Sequence, residues 1–381
     1  MQKEDRALRA SIGSPFVILA LTIMLSVGAV TLSRHLSLTA GPRDHRPTPA
    51  EPSTARSPTQ SCRPSGTGVK APLSGMVAIN ALPHKPPSFV GGMSLSVAWA
   101  DLQPTSDSAI VHPNAIDAAI DAVRRTASTD GCAPGIKLRV LAGVRSPQWA
   151  KTLDGPPLQM TLAQDQLSGA VPRFWTARFG LAYASLQRKL AAAYDNVSEI
   201  REVAMTRCTT FYGEPLLRQA ATSSNAVALS SAGLTDALDR KCLAEQTAAH
   251  KMWARTSSSL ALNPYLGPAS PAGSAGTLDV TLEAAHVCRQ ELLRRCILAN
   301  NSLRWPIPPG AYTALYDEMA RMGGPLEFQT ASPSRVGDLV AAVRWAIHAG
   351  AASVETEPAS ATRSGDALRQ LSAASKWGPS G

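Results

Sequence analysis

Strands and helices alternate along the body of this chain, and that order leaves few folds open to it. Residues 93–99 (MSLSVAW) set large apolar side chains against small ones with a period of two, which predicts a strand. Asn114 then reads as the cap of a helix whose Ile116, Ile120 and Val123 form one stripe, with Asp121 spaced to pair with Arg125. Residues 136–143 (IKLRVLAG) return to a strand. After them Pro172 suits a first helical turn, and Phe179, Tyr183, Leu186, Leu190 and Tyr194 follow at helical spacing. The alternation continues through strands at 202–209, 259–263, 296–300, 325–330 and 353–357, with helices at about 235–253, 282–295, 312–322 and 336–348 between them. An eighth strand is available at 76–80.

Strand-then-helix order predicts a parallel sheet. Eight units between residues 73 and 358 match the length of a closed (β/α)8 TIM barrel, so the fold class is α/β with the barrel as its body. An open doubly wound sheet is the alternative; against it, no GxGxxG follows the first strand, and Gly91-Gly92 reads as a turn. Residues 359–381 form a tail of Ser, Ala and Gly with a short helical stretch near 366–373.

The first 72 residues are of a different kind. Residues 15–32 (PFVILALTIMLSVGAVTL) hold eighteen positions without a charge, preceded by Lys3, Arg6 and Arg9 and followed by Arg34. As a helix they would be about 27 Å long, close to the roughly 30 Å of a bilayer's hydrocarbon core. The small-x-small sites that end at Ala29 and Ala40 are imperfect, which favours an uncleaved signal anchor over a cleaved signal peptide. Its flanking cations would hold residues 1–14 in the cytoplasm and send the barrel outside, or into the medium if the signal is cleaved. Residues 33–72 read as a Pro-rich disordered linker, with seven prolines between 41 and 72. The net charge is +9, and +5 of it lies before residue 73, so it concerns topology at a membrane more than a ligand. No basic run interleaved with aromatics marks a nucleic-acid interface in the body. Apolar residues at 44% and charged residues at 17% exclude a wholly disordered chain, and a single long apolar run excludes a multi-spanning one.

In an exported body the six cysteines (Cys62, Cys132, Cys208, Cys242, Cys288, Cys296) are expected to form disulfides. No CxxC pair suggests zinc. Cys288 and Cys296, read as one helix, would stand about 12 Å apart and need other partners.

Chemistry in a parallel barrel gathers where the C-terminal ends of the strands converge. Those ends carry Trp99 with Asp101 and Gln103, Arg145 with Trp149, Tyr212 with Glu214, Asn263 with Tyr265, Asn300 with Asn301, Gln329 with Thr330, and Glu355 with Glu357. There is no HExxH, no GxSxG, no His cluster and no Cys beside a His base, so no metal or cofactor is expected. Aromatic faces beside amides and carboxylates suit a neutral, hydroxyl-rich ligand such as a polysaccharide or oligosaccharide.

The stretches SVAWADLQP, HPNAIDAAIDAVRR and IKLRVLAGVRSPQWA resemble the second and third βα units of the glycoside hydrolase barrels of the β-galactosidase and cellulase clan. That pattern has a Trp ending strand two, a Pro turn, and a third strand ending before Pro-x-Trp. VAMTRCTTFYGEPLLRQ resembles the fourth-strand segment, where the clan places its acid/base glutamate before a proline; Glu214 before Pro215 matches it. The resemblance implies a glycosidase. Two departures stand out. Gly213 replaces the usual Asn, and the end of strand seven, the nucleophile's place, offers Gln329 and Thr330. Glu327 lies on the same face as Gln329 but deeper. The second carboxylate is therefore expected to be Glu355, with Glu357 as its substitute, unless Glu355 serves an ion pair with Arg145 or Arg218. Trp99, Trp149, Tyr212, Asn263, Tyr265, Asn301 and Gln329 are the expected sugar-binding residues. Two functions follow: an exported glycoside hydrolase working with a carboxylate pair, or a noncatalytic carbohydrate-binding relative that kept the mouth and lost the nucleophile.

Overall fold

The computed structural model describes residues 68–83, 85–126, 134–162, 166–220, 222–270, 274–375 and 377. Ten strands are present: β1 Gly75–Ile79, β2 Val90–Ala98, β3 Gly135–Leu141, β4 Leu158–Leu162, β5 Leu167–Val171, β6 Ile200–Ala204, β7 Ser257–Ala261, β8 Cys296–Leu303, β9 Leu326–Thr330 and β10 Ala351–Thr356. Eight of them, in the order β1-β10-β9-β8-β7-β6-β3-β2, close into a parallel barrel. Closure is made by β1 on β10, with Gly75 opposite Ser353 and Val77 opposite Glu355. All eight expected barrel strands are there. The antiparallel hairpin β4-β5 was not expected, and it pairs only with itself in the connection after β3.

The helices are α1 Trp99–Leu102, α2 Ala115–Arg125, α3 Gln148–Lys151, α4 Ala177–Tyr194, α5 Ser223–Ser231, α6 Asp236–Ala249, α7 Asp279–Leu292, α8 Ala311–Met322, α9 Leu339–His348, α10 Pro358–Arg363 and α11 Gly365–Ala374. Asn114 caps α2 in a reciprocal box with Asp117, and Ile116, Ile120 and Val123 are buried as one stripe. Pro172 stands before α4 rather than in its first turn, while Phe179, Tyr183, Leu186, Leu190 and Tyr194 form its buried face. The apolar core lies between barrel and helices. Phe328 of β9, for example, packs edge-on to Tyr316 of α8 and Trp345 of α9.

Gly91-Gly92 is not a turn. Both lie inside β2, where a Cβ on Gly91 would stand 1.8 Å from the Ser74 carbonyl oxygen and one on Gly92 would stand 2.4 Å from that of Gly135. The pair serves close backbone approach.

Cys288 and Cys296 are bonded to each other, which overturns the single-helix expectation. Helix α7 stops at Leu292, Leu293 takes a φ of 52°, and the chain turns back so that Cys296, the first residue of β8, lies 5.7 Å from Cys288 between Cα atoms. A second disulfide, Cys208–Cys242, ties the segment after β6 to α6. Two disulfides are compatible with an extracellular protein. Cys62 and Cys132 lie outside the described residues, as do the expected anchor at 15–32 and all of the linker before residue 68. No helix among the described residues is long and apolar enough to cross a membrane.

Candidate functional site

The site begins with an anomaly in β3. All but the last residue of GIKLRVL are buried, yet two are cations, Lys137 and Arg139, at alternate positions. In a strand whose outer face meets helices, that spacing sends both into the lumen. Lys137 crosses it to place Nζ 2.7 Å from Glu327 Oε2 and 2.5 Å from Glu355 Oε1. One layer up, Arg139 Nη2 donates to Glu355 Oε2 at 3.0 Å, to Oε1 at 3.2 Å, and to the Gln329 amide oxygen at 3.2 Å. Opposite Lys137 in the register of β3 and β6, Glu202 accepts a 2.7 Å bond from the Leu73 N–H. The lumen thus gathers two cations and three carboxyl groups.

Burial pushes the Glu355 carboxyl up, but Arg139 and Lys137 outweigh it and hold the group well below the usual carboxylate range. Glu327 moves the other way. Burial is its largest influence, and Glu202 and Glu355 add to it against the pull of Lys137, so its carboxyl is pushed well above the usual carboxylate range. Burial likewise raises Glu202. Lys137 is disfavoured as a charge by burial, but Glu327 and Glu355 prevail and hold the ammonium protonated. The expected ion pair of Glu355 with Arg145 or Arg218 is replaced by this one. Arg218 instead forms a fully buried pair with Asp239, at 2.6 Å to each carboxylate oxygen, and donates to the carbonyls of Cys208 and Pro215.

That pair and the Cys208–Cys242 bond fix the loop that carries Glu214. Burial raises the Glu214 carboxyl, opposed by a hydrogen bond with Asn301 and by the charges of Arg139 and Arg335. Glu214, Asn301, Arg139 and Arg335, from four different strand ends, are therefore neighbours at one mouth. Gly213 has a local reason: a Cβ there would lie 3.1 Å from Cδ of Arg139, whose stem occupies that space.

Other expected residues fall elsewhere. Trp99 is fully buried, its indole N–H on the Gln103 side-chain oxygen at 3.0 Å, and so presents no stacking face. Trp149 is half-buried and edge-on to Trp99; with Gln103, Arg178 and Leu181 it lines an open groove of about 280 Å³ against α4. Tyr265 is buried and donates to Asp239 at 2.9 Å. Asn263 is fully buried against Asn300, Ser302 and Tyr312. Gln329 is the amide under Arg139, and Glu355 is fully buried. Tyr212 and Glu357 are exposed, the latter just before α10. Lys137, Arg139 and Arg335 were missed as site residues. The signal for the first two was present: cations two apart in a strand that reads as buried on both faces. Among the described residues no cluster of three His, Cys, Asp or Glu side chains is arranged to hold a metal.

No family model matches the chain, and no curated protein matches it. Solved structures similar to it include an endo-glycoceramidase II from Rhodococcus sp., at 12% identity and a TM-score of 0.46 over 77% of this chain and 74% of that one. A β-galactosidase from the psychrophilic Marinomonas ef1 is similar at 12% identity and a TM-score of 0.45, over 74% and 53%. An endoglucanase of Pseudomonas stutzeri follows at 12% and 0.38, over 70% and 72%. At such identities and scores the likeness says nothing of chemistry, and the barrel stands on its own ring of eight parallel strands.

Proposed function

We propose that the mouth around Glu214 binds a polysaccharide or oligosaccharide, and that the protein is a noncatalytic carbohydrate-binding relative of the glycosidases. One observation carries the second half: Glu355 has no exposed surface and lies beneath Arg139 with both oxygens in ion pairs. A glycosidic carbon must approach a carboxylate oxygen directly, or through one water, for cleavage by a carboxylate pair. Gln329, at the end of β9, has no charge to offer. Amides, carboxylates and partly exposed aromatics on the strand ends support a sugar as the ligand. In this reading the barrel is exported, with residues 15–32 as anchor and the tail from 359 outside the barrel; the tether expected to reach residue 72 ends sooner, because Lys70 is buried and donates to the Val197 and Ile200 carbonyls and to Thr256.

A hydrolase is the second reading, and the raised Glu214 carboxyl favours it, because a general acid must hold its proton near neutral pH. Its partner would then be Glu357, exposed at the end of β10, acting as base through water. Glu355 would serve only if Arg139 and Lys137 released it. Wild type and Glu214→Gln should bind oligosaccharides with affinities within a few-fold of one another, and neither should turn over aryl glycosides. Wild-type turnover that Glu214→Gln abolishes would replace the noncatalytic reading with the hydrolase.

A further inference from the structure

Two large apolar side chains stand open to solvent at the end of the barrel opposite the mouth. Met252, 45% exposed, ends the turn His250–Met252 that leads into β7, and Leu293, 70% exposed, opens the turn Leu293–Arg295 that leads into β8. Strands β7 and β8 are parallel neighbours, with Ser258 opposite Cys296, so both turns lie on the N-terminal face. The turns are tied to each other: Arg295 donates to the Trp253 carbonyl, and Lys251 pairs with Glu291 just before Leu293. Leu293 also holds a φ of 52°, which Gly or Asn would adopt at lower cost. An apolar side chain left in water on a strained residue adds nothing to the core, and points to a partner instead.

The polar surroundings are mostly of one sign. Lys251 and Arg294 are exposed beside the pair, and Arg255 and Arg295 are half-buried. Of the carboxylates close by, Glu291 is engaged by Lys251, and Asp195 is buried on the backbone N–H groups of residues 254–256. Open apolar side chains among Lys and Arg suit a bilayer surface, where the apolar tips enter the headgroup boundary and the cations meet anionic lipid. A soluble polyanion would engage the cations and leave Met252 and Leu293 in water. The first described residue stands at the same place: Arg255 Nε donates to the Gly68 carbonyl at 3.1 Å, and the Lys70 N–H donates to the Arg255 carbonyl at 2.8 Å. In the sequence the apolar run 15–32 precedes Gly68 by thirty-five residues.

Resting on the reading of residues 15–32 as a membrane anchor, we propose that the N-terminal face of the barrel docks on an anionic phospholipid surface through Met252 and Leu293, with Lys251, Arg255, Arg294 and Arg295 against the headgroups. The mouth, at the other end of the strands, then faces away from the bilayer.

The test is amide hydrogen exchange on the full chain, in neutral detergent and after reconstitution into vesicles of phosphatidylcholine alone or with about a third phosphatidylglycerol. In the phosphatidylglycerol vesicles, peptides spanning 250–256 and 291–295 should exchange about fivefold slower or more than in the other two conditions. The double variant Met252→Gln, Leu293→Asn changes only exposed side chains away from the mouth; it should still float with the vesicles, lose this protection, and bind oligosaccharides as wild type does. A chain that floats with vesicles but shows no added protection overturns the docking and leaves the anchor reading standing, whereas a chain that floats with neither vesicle overturns both. Slow exchange already present in detergent would assign the patch to another segment of this chain. Protection that survives the double variant, or that soluble dextran sulfate reproduces in detergent, would assign the face to a polyanion and overturn the lipid.

Discussion

Lys137 is the residue on which the lumen turns. Two carboxyl groups share its ammonium, and a third acid, Glu202, adds to the field that keeps it charged. Breaking one side of a buried ion pair strands the other charge and typically costs about 3–5 kcal/mol. Lys137→Met should therefore lower the stability measured by urea unfolding by roughly that amount, while the exposed Lys241→Met, whose 3.8 Å pair with Glu245 is mostly solvated, should cost under about 1 kcal/mol. A loss below about 1 kcal/mol for Lys137→Met would mean the lumen relaxes around Glu355. Residue-level legibility was uneven for a physical reason. Alternation in β3 reveals that Lys137 and Arg139 point inward, but their partners sit on β9 and β10, some 190 to 218 residues away, and only barrel closure brings them across. Tyr265 and Asn263 illustrate the reverse: correct positions at a strand end, with side chains turned into the shell.

At the scale of elements, the segment after β6 is held by a covalent and an ionic tie to the same helix, Cys208–Cys242 and Arg218–Asp239. A bond closing a 34-residue separation is worth about 2–4 kcal/mol in the chain-entropy picture. The Cys208→Ala, Cys242→Ala double variant should lose stability in that range. It should also weaken saccharide binding more than the equivalent removal of Cys288–Cys296, which lies at the N-terminal end of β8, away from the mouth. Equal binding losses would mean the Glu214 loop does not depend on its tie. Most elements were legible because their apolar period is strong. The β4-β5 hairpin was not, because β4 alternates buried Leu158, Met160 and Leu162 over only five residues inside a connection and its partner β5 is mostly open, and the end of α7 was not, because Leu293 reverses the chain without a glycine to announce it.

For the whole molecule, buried titratable groups predict how stability follows pH. His250 is fully buried between Tyr183 and Ser258, at 3.0 Å from each hydroxyl, and burial with Arg295 depresses it from 6.5 to about 3. The unfolded chain then binds the proton first, so stability is intact above about pH 6.5 and declines as pH falls toward 3, by on the order of 4 kcal/mol. Glu355, depressed, acts in the same direction at the acid end. Glu327 and Glu202, raised, act oppositely: their contribution is present at low pH and fades as pH rises through their elevated values. His250→Gln should therefore flatten the decline between about pH 6 and 4, read from thermal midpoints, and leave the limb below pH 4 in place; an unchanged profile would remove His250 as its origin.

By itself the sequence determined the alternation, the parallel sheet and its count of eight strands, and the placing of Glu214 on a strand-end loop. These depend on periods and caps that neighbouring residues carry locally. Tertiary structure alone decided which carboxylates are open and which are sealed. Glu355 and Glu357 are two residues apart in the chain, yet one lies under two cations in the lumen and the other stands in solvent. Burial and charge pairing arise only when the first and last strands meet, so the sealing of Glu355 under Arg139 and Lys137 exists only in the closed barrel.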